Sequence, residues 1–242
     1  MKKMFADAIE LFQILSTNPV LKKMRSRLSQ KEARYLNLEQ LKTLLTYVRE
    51  KPYGLAVWLS AYLGLRVGEV QALRWEDVDL QTGVLHIRRT YSKHESVFRD
   101  YPKGRKQHSH QVPQELLYFL KEVQDSATGE LVIVPAGWKM LDYWMYRKVL
   151  QQYCEESGVP VIATHGLRHS TSELYQTYGA SRDDLRQLFA HSSGSTTERY
   201  IHHKSDSLEK VAKVIQLFPR EARCSHNVPI SNSESKEGGV SH

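Results

Sequence analysis

The segment 55–65 constrains the fold most, because nearly every position in it is apolar. A helix that is apolar on all sides must be buried among other elements, and Gly64 is placed to end it. Most of the remaining sequence shows apolar residues at helical spacing. Further helices are therefore predicted at residues 5–15, 38–48, 67–73, 116–123, 144–154, 167–178, 182–188 and 207–217.

The predicted β structure is confined to one short region. Residues 84–91 alternate apolar and polar side chains after the turn 81–83, which predicts a strand. Two further short strands are predicted on either side of Lys103 and Gly104, as far as Pro113. Since strands and helices do not alternate along the chain, we expect a mostly α protein with a small antiparallel β-sheet (α+β) rather than a doubly wound fold.

The sequence divides into four parts. Residues 1–20 predict a short helix that is too small to form a domain, and residues 21–35 form a basic linker. The linker either lies in solvent or runs along a phosphate backbone, and its lysines and arginines are compatible with both. Residues 36–218 predict the folded domain, and the polar residues 219–242 predict a disordered tail.

Charge and cysteine content restrict the partners and the compartment. The chain has 34 Lys and Arg against 27 Asp and Glu, and its net charge of +7 favours a polyanionic partner without identifying it. Cys154 and Cys224 stand far apart with no pairing pattern, which predicts reduced thiols in the cytoplasm. No apolar run approaches the roughly 20 residues that cross a bilayer, so no membrane association is expected.

Residues 164–200 concentrate side chains that handle phosphate and protons, among them His165, Arg168, His191 and Tyr200. Cleavage of a phosphodiester requires a nucleophile, stabilisation of the negative oxygens and a proton for the leaving oxygen. A tyrosine phenol, with a pKa near ~10, can attack if neighbouring groups help it to ionise. Guanidinium groups bind two phosphate oxygens at once, so two arginines can replace a metal ion. The phosphotyrosine ester conserves the energy of the broken bond, and rejoining then needs no ATP.

Four motifs occur in the order and spacing of one protein family. They are residues 61–78 (AYLGLRVGEVQALRWEDV), residues 165–169 (HGLRH), residues 188–193 (LFAHSS), and Tyr200 within TTERYIH. On these motifs the chain resembles the tyrosine recombinases, also called phage integrases, over about residues 36–217. The resemblance implies the fold of their catalytic domain. Ala190 departs from the glycine that the family usually has before the histidine of the third motif.

The resemblance also implies a role for most residues of the site. Arg66 and Arg168 would clamp the scissile phosphate, and Tyr200 would attack it and become joined to the DNA 3′ phosphate. His165 would exchange a proton near the phenol. His191 would hydrogen-bond a phosphate oxygen.

The remaining roles fall on a lysine and a glutamate. In the family, a lysine in the turn of the small sheet protonates the leaving 5′ oxygen. Lys103 matches that position best, and Lys106 is the alternative. Glu69 would orient the helix that carries Arg66. The resemblance implies no cofactor.

Other histidines have simpler interpretations. His165 and His169 stand four residues apart, as zinc ligands can. The lack of a carboxylate between them and the positive charge of Arg168 argue against a metal. His108 and His110 are interpreted as solvated or phosphate-facing.

The stretch 138–148 combines aromatic and basic side chains. Its aromatic residues, which include Trp144, are interpreted as core and groove wall rather than as stacking surfaces for bases. Lys139, Arg147 and Lys148 either lie in solvent or contact phosphates, and the sequence does not distinguish the two.

The function that the resemblance implies is site-specific DNA recombination or integration through a covalent 3′-phosphotyrosyl link. It implies a homotetramer on two DNA duplexes, in which the helix 207–217 packs on a neighbouring copy. Residues 1–20 resemble only the last helix of the family's N-terminal core-binding domain, so we expect that domain to be largely missing. Two alternatives stay open: a truncated, non-catalytic DNA-binding remnant, and a type IB topoisomerase-like nicking enzyme with the same chemistry.

Overall fold

The computed structural model describes residues 2–13, 17, 35–102, 107–134, 139–189 and 206–218. Contacts within the chain divide it into two units, residues 1–33 and 34–242. The first unit contains α1 (Lys2–Glu10), which starts and ends earlier than the predicted helix 5–15. The predicted tail 219–242 and most of the predicted linker lie outside the described residues.

The second unit is built around α3 (Gly54–Leu63), in which every residue is buried. Trp58 and Tyr62 stack in its core with ring centroids 5.3 Å apart. Gly64 ends the helix with φ of +62°, a left-handed conformation that suits glycine, and a side chain there would collide with the Phe189 ring. The prediction of a buried helix that ends at Gly64 is confirmed.

Other helices enclose α3. The helix α2 (Leu38–Val48) starts at a capping box. The Asn37 side chain accepts the backbone N–H of Gln40 at 2.9 Å, and the Gln40 side chain accepts the backbone N–H of Asn37 at 3.1 Å. The second unit also contains α4 (Val67–Ala72), α5 (Gln114–Gln124), α6 (Tyr143–Glu156), α7 (Thr164–Thr177), α8 (Arg182–Leu188) and α9 (Asp206–Val214). Of these helices, α2, α4, α5 and α7 pack directly on α3. Within the described ranges, no helix is long and apolar enough to cross a bilayer.

The β structure forms two small antiparallel sheets. The strands are β1 (Val78–Asp79), β2 (Val84–Ile87), β3 (Thr90–Ser92), β4 (Val97–Arg99) and β5 (His108–Gln111). The first sheet has the order β1–β2–β5, and β3 pairs with β4 in the second. Together with the helices, these sheets confirm the mostly α fold with a small antiparallel β part.

The prediction of one continuous strand over residues 84–91 is wrong. The structure has two strands there, β2 and β3, separated by Arg88 and Arg89. Both guanidinium groups reach the carboxylate of Asp77, at 3.4 Å and 2.8 Å. Asp77 is 1% exposed, and a buried charge needs such partners. Neighbouring residues of a strand point to opposite faces, so both arginines can reach one carboxylate only where the strand ends.

The C-terminal described segment packs on its own chain. The helix α9 ends at Val214, before the predicted end at residue 217. The backbone N–H groups of Leu217 and Phe218 donate instead to the buried carboxylate of Glu115, at 3.0 Å and 2.8 Å. Phe218 stacks on Trp58 with centroids 5.5 Å apart. A distant carboxylate therefore takes the place of the last helical turn.

Candidate active site

Arg66 lies at the junction of α3 and α4, where it forms the N-cap of α4 with an extended backbone. Glu69, three residues further on, accepts the backbone N–H of Arg66 and one of its guanidinium N–H groups, each at 2.8 Å. Glu69 is 1% exposed, whereas the Arg66 side chain is 28% exposed. The buried carboxylate thus holds both the backbone and the side chain of Arg66 and leaves part of the guanidinium facing solvent.

Arg168 lies on α7 and is 7% exposed. One end of its guanidinium donates to the carbonyl of Gly64, and Nη2 donates to the carbonyl of Phe189 at 2.6 Å. The guanidinium carbon lies 4.3 Å from the centroid of the Phe189 ring. These carbonyls stand at the C-terminal ends of α3 and α8, where the helix dipole is negative. Arg168 is therefore held by carbonyl groups at two helix ends and not by a direct ion pair with a carboxylate in the described residues.

The two arginines are brought together by the short connection between α3 and α4. Arg168 binds Gly64, two residues before Arg66, and the two positive charges act on each other. Burial and the nearby charge of Arg66 lower the pKa of Arg168, Glu69 opposes both effects, and the result is a pKa of about 10. The guanidinium stays protonated at neutral pH. Two cations and one carboxylate leave a net positive charge, which suits an anion.

His165 and His169 lie on the first turns of α7, on the exposed side of the helix. Their rings meet edge to face with centroids 5.0 Å apart. Residues three apart on a helix are neighbours, so the exposed His165 lies next to the buried Arg168 on the surface of α7. In the described residues, no group of three or more His, Cys, Asp or Glu side chains is placed to hold a metal ion.

A model of the phage integrase family matches residues 34–206, which contain α2 to α8 with Arg66 and Arg168. The chain belongs to the phage integrase family. The helices and small sheets described above are therefore those of a tyrosine recombinase catalytic domain.

Relatives in sequence carry recombinase names. The tyrosine recombinase XerA of Thermococcus kodakarensis is 29% identical over 192 residues, which are 76% of this chain and 64% of that protein. The tyrosine recombinase XerC of Bifidobacterium longum is 26% identical over 159 residues, 65% of this chain and 44% of that protein. A shufflon-specific DNA recombinase of Escherichia coli is 25% identical over 189 residues, 77% of this chain and 44% of that protein. The chain thus spans roughly half the length of these relatives.

Solved integrase structures share the fold. A crystal structure of XerA recombinase has a TM-score of 0.56 at 23% identity and covers 73% of this chain and 63% of that one. The Tn1549 transposon integrase in complex with transposon right end DNA has a TM-score of 0.65 at 13% identity, covering 79% of this chain and 68% of that one.

The structure brings together three of the residues predicted for the integrase site, Arg66, Glu69 and Arg168, and it places His165 three residues before Arg168 on α7. Four others lie outside the described residues, and they are Lys103, its alternative Lys106, His191 and Tyr200. His191 and Tyr200 follow Phe189, which is the last described residue before residues 190–205, and the carbonyl of Phe189 accepts a hydrogen bond from Arg168.

Sequence reasoning missed His110, which it interpreted as solvated or phosphate-facing. His110 lies on β5 opposite Leu85 and is 4% exposed, and its Nε2 has no hydrogen-bond partner in the described residues. Burial holds its pKa well below 6.5, and the nearby charges of His108 and Arg168 lower it further. The imidazole is therefore neutral beside the arginine pair. The alternation of His108, Ser109 and His110 indicated that the two histidines share one face of a strand. It did not indicate whether that face is buried or exposed.

Proposed function

We propose that this chain is the catalytic part of a site-specific DNA recombinase or integrase that cuts and rejoins DNA through a covalent 3′-phosphotyrosyl intermediate. The observation that carries the proposal is the pair of guanidinium groups: Arg66 pairs with the buried carboxylate of Glu69 and Arg168 is held by backbone carbonyls, so the pair presents net positive charge. A phosphodiester carries the matching negative charge, and membership of the integrase family makes DNA its source.

Arg66 and Arg168 stabilise the charge that develops on the nonbridging phosphate oxygens. A guanidinium has five N–H donors. In the described residues, Arg168 uses two of them for the carbonyls of Gly64 and Phe189, and we propose that others bind phosphate. Because the carbonyls and Glu69 fix both guanidinium groups in advance, little reorganisation is needed when negative charge appears.

The reacting groups follow from the family motifs. The phenol oxygen of Tyr200 attacks phosphorus while the bond to the 5′ oxygen breaks, and the 3′ phosphate becomes joined to the tyrosine. His165 takes the phenol proton, and Lys103, or Lys106 in its place, protonates the leaving 5′ oxygen. His191 donates to a nonbridging oxygen. The reverse attack by a 5′ hydroxyl reseals the strand, so the cycle needs neither metal nor ATP.

Glu69 is a positioning residue that acts through Arg66. Its carboxylate accepts from the backbone and the side chain of that residue at equal distances of 2.8 Å. Loss of either bond would free the guanidinium to rotate away from the phosphate.

The partners we propose are duplex DNA and further copies of this chain. Recombination joins two duplexes and calls for four protomers. In the described chain, Leu217 and Phe218 dock on Glu115, and Phe218 also stacks on Trp58 of the same chain. Exchange of an identical element between protomers keeps such contacts, so a neighbour's α9 can use the same acceptor surface. We also propose a cytoplasmic location, a helical segment at residues 1–20 that resembles the last helix of the family's core-binding domain, a linker at 21–35, a catalytic domain at 36–218 and a tail at 219–242.

The test is covalent trapping of DNA. A library of duplexes with one nick and randomised flanks releases a short strand after cleavage, so a cut complex cannot reseal and survives denaturation in SDS. Wild type should retain DNA, and Tyr200→Phe should retain none. Failure of wild type to trap DNA while it still binds duplex would favour the non-catalytic binding protein.

A second assay separates recombinase from topoisomerase. The trapped sequence is rebuilt without the nick in two duplexes of different length. Exchange of strands between them supports recombination. Relaxation of supercoiled DNA without exchange would support the topoisomerase-like alternative.

A further inference from the structure

Phe189, which follows the last residue of α8, contacts the guanidinium of Arg168 in two ways. Its carbonyl accepts a hydrogen bond from Nη2 at 2.6 Å. Its ring lies under the guanidinium, with 4.3 Å between the guanidinium carbon and the ring centroid. The hydrogen bond restrains the guanidinium within its own plane, and the ring restrains it perpendicular to that plane. Phe189 therefore contacts both an edge and a face of the same cation.

The backbone around Arg168 is held independently of Phe189. Thr171, three residues further along α7, bonds through its hydroxyl to the carbonyls of Ser60 and Ala61 at 3.1 Å and 2.9 Å. These contacts attach α7 to the end of α3, against which it packs. The freedom that is left at Arg168 is that of its side chain, and it is this freedom that Phe189 restricts.

The Phe189 ring is itself held in place. It is 5% exposed and lies against the backbone of Gly64. A Cβ at Gly64 would lie 2.4 Å from the ring carbon Cε1 and 3.0 Å from Cδ1. The missing side chain at Gly64 thus makes room for the ring, which fills the space between the end of α3 and the guanidinium.

The contact differs from the other arginine over an aromatic ring in the described residues. Arg49 lies 4.7 Å from the centroid of Phe119, but its side chain is 34% exposed and pairs with Glu122. In the described part of the chain, Arg168 is the one lysine or arginine that is buried. A cation that is removed from water interacts more strongly with a ring face. Because the ring carries no net charge, it stabilises this cation without neutralising it.

We propose that Phe189 is a positioning residue, whose aromatic face sets the orientation of the Arg168 guanidinium toward the phosphate. The proposal rests on the proposed function for the phosphate and for the role of Arg168. Donors stabilise developing charge well only when they are fixed in advance, so a guanidinium that is free to turn loses part of its effect. Phe189 therefore contributes to the rate of cleavage and not to the affinity for DNA.

The test replaces Phe189 by phenylalanines that carry one, two or three fluorine atoms on the ring, introduced at an amber codon. Fluorine withdraws negative charge from the ring face and changes the size of the ring little. The single-turnover rate of cleavage of the trapped nicked duplex should fall with each fluorine, by about tenfold for three. The affinity for the duplex should stay within about twofold. A role in packing alone would leave the rate independent of the number of fluorines, and that result would overturn the proposal.

The matched control applies the same fluorinated series to Phe119. This ring also lies under an arginine and is also buried, but its cation is the paired Arg49. Cleavage should stay within about twofold throughout the Phe119 series. Equal losses of rate in both series would show a general effect of fluorination and would overturn the role of Phe189.

A measurement on the free protein separates this inference from the proposed function. Rotation of the Arg168 guanidinium about its Nε–Cζ bond is followed by NMR without DNA, and it should become faster with each fluorine at Phe189. Faster rotation without any covalent trapping by wild type would support the restraint on Arg168 and reject the recombinase chemistry. Trapping by wild type with unchanged rotation would reject the role of Phe189 alone. Faster rotation with unchanged cleavage would show that the restraint does not serve the reaction, and the proposal would fall.

Discussion

Glu69 and Glu115 are both almost completely buried carboxylates, 1% and 4% exposed, but their partners differ. Glu69 accepts from the cation Arg66. Glu115 accepts from neutral donors, namely the Tyr62 hydroxyl and the backbone N–H groups of Leu217 and Phe218. We infer that the first carboxylate positions a guanidinium for chemistry and that the second docks the C-terminal segment. Two buried glutamates thus have different roles in two regions of the molecule, and separate experiments can distinguish these roles.

The largest expected effect on cleavage comes from removing Arg168, the cation that lies near Arg66 and Glu69. Arg168→Ala should lower cleavage by about 10²–10³-fold, by analogy with the loss of an oxyanion donor, because in the proposed function its charge stabilises the phosphate oxygens. Single-turnover cleavage of the trapped nicked duplex and its binding affinity are measured together. Binding should be mostly retained. An equal loss of binding would make Arg168 a docking residue instead.

The matched pair Glu69→Gln and Glu115→Gln breaks the comparison most directly. Glu69→Gln should slow cleavage about 10-fold, because a neutral amide holds the Arg66 guanidinium more weakly than a carboxylate does. Glu115→Gln should leave the cleavage step within about twofold, because Glu115 binds the Tyr62 hydroxyl and the backbone of the C-terminal segment. Similar rate losses in both variants would contradict the division of roles.

Glu115→Gln should affect the stability of the protein rather than its cleavage rate. Glu115→Gln should lower the free energy of unfolding by about 1–3 kcal/mol, because its amide cannot satisfy all of the buried donors. Urea denaturation gives the free energy, and hydrogen exchange at Leu217 and Phe218 reports the docking itself. Protection at these amides should fall in Glu115→Gln and persist in Glu69→Gln. Full protection in Glu115→Gln would show that the stacked Phe218 ring is sufficient for docking.

The sequence predicted the parts of the fold that depend on local signals. The apolar run of α3 and its end at Gly64 each require only neighbouring residues. The break at Arg88 and Arg89 depends on Asp77, which the strand pattern of 84–91 does not reveal.

Long-range contacts also explain the other differences. The end of α9 at Val214 depends on Glu115, about a hundred residues earlier. At the site, the motifs identified Arg66, Glu69 and Arg168, which the fold brings together. The burial of His110 depends on its pairing with Leu85 across two strands, so spacing along the chain could not reveal it.

The smallest expected effect concerns His110 beside the arginine pair. Its folded-state pKa is depressed, so the unfolded chain binds the proton first as pH falls below about 6.5. The histidine should therefore reduce stability below that pH, by at most about 1.4 kcal/mol per pH unit. His110→Leu should flatten the decline in unfolding free energy between about pH 7 and pH 5, measured with urea. An unchanged decline would show that other groups dominate.

The central claim is that Tyr200 becomes joined to a 3′ phosphate of DNA. The trapped complex is digested with trypsin, which cuts after Arg199 and Lys204, and with nuclease, and the remaining peptide is sequenced by mass spectrometry. The account predicts residues 200–204 with a nucleotide linked through its 3′ phosphate to the tyrosine oxygen. Attachment to any other residue, or through a 5′ phosphate, would contradict it.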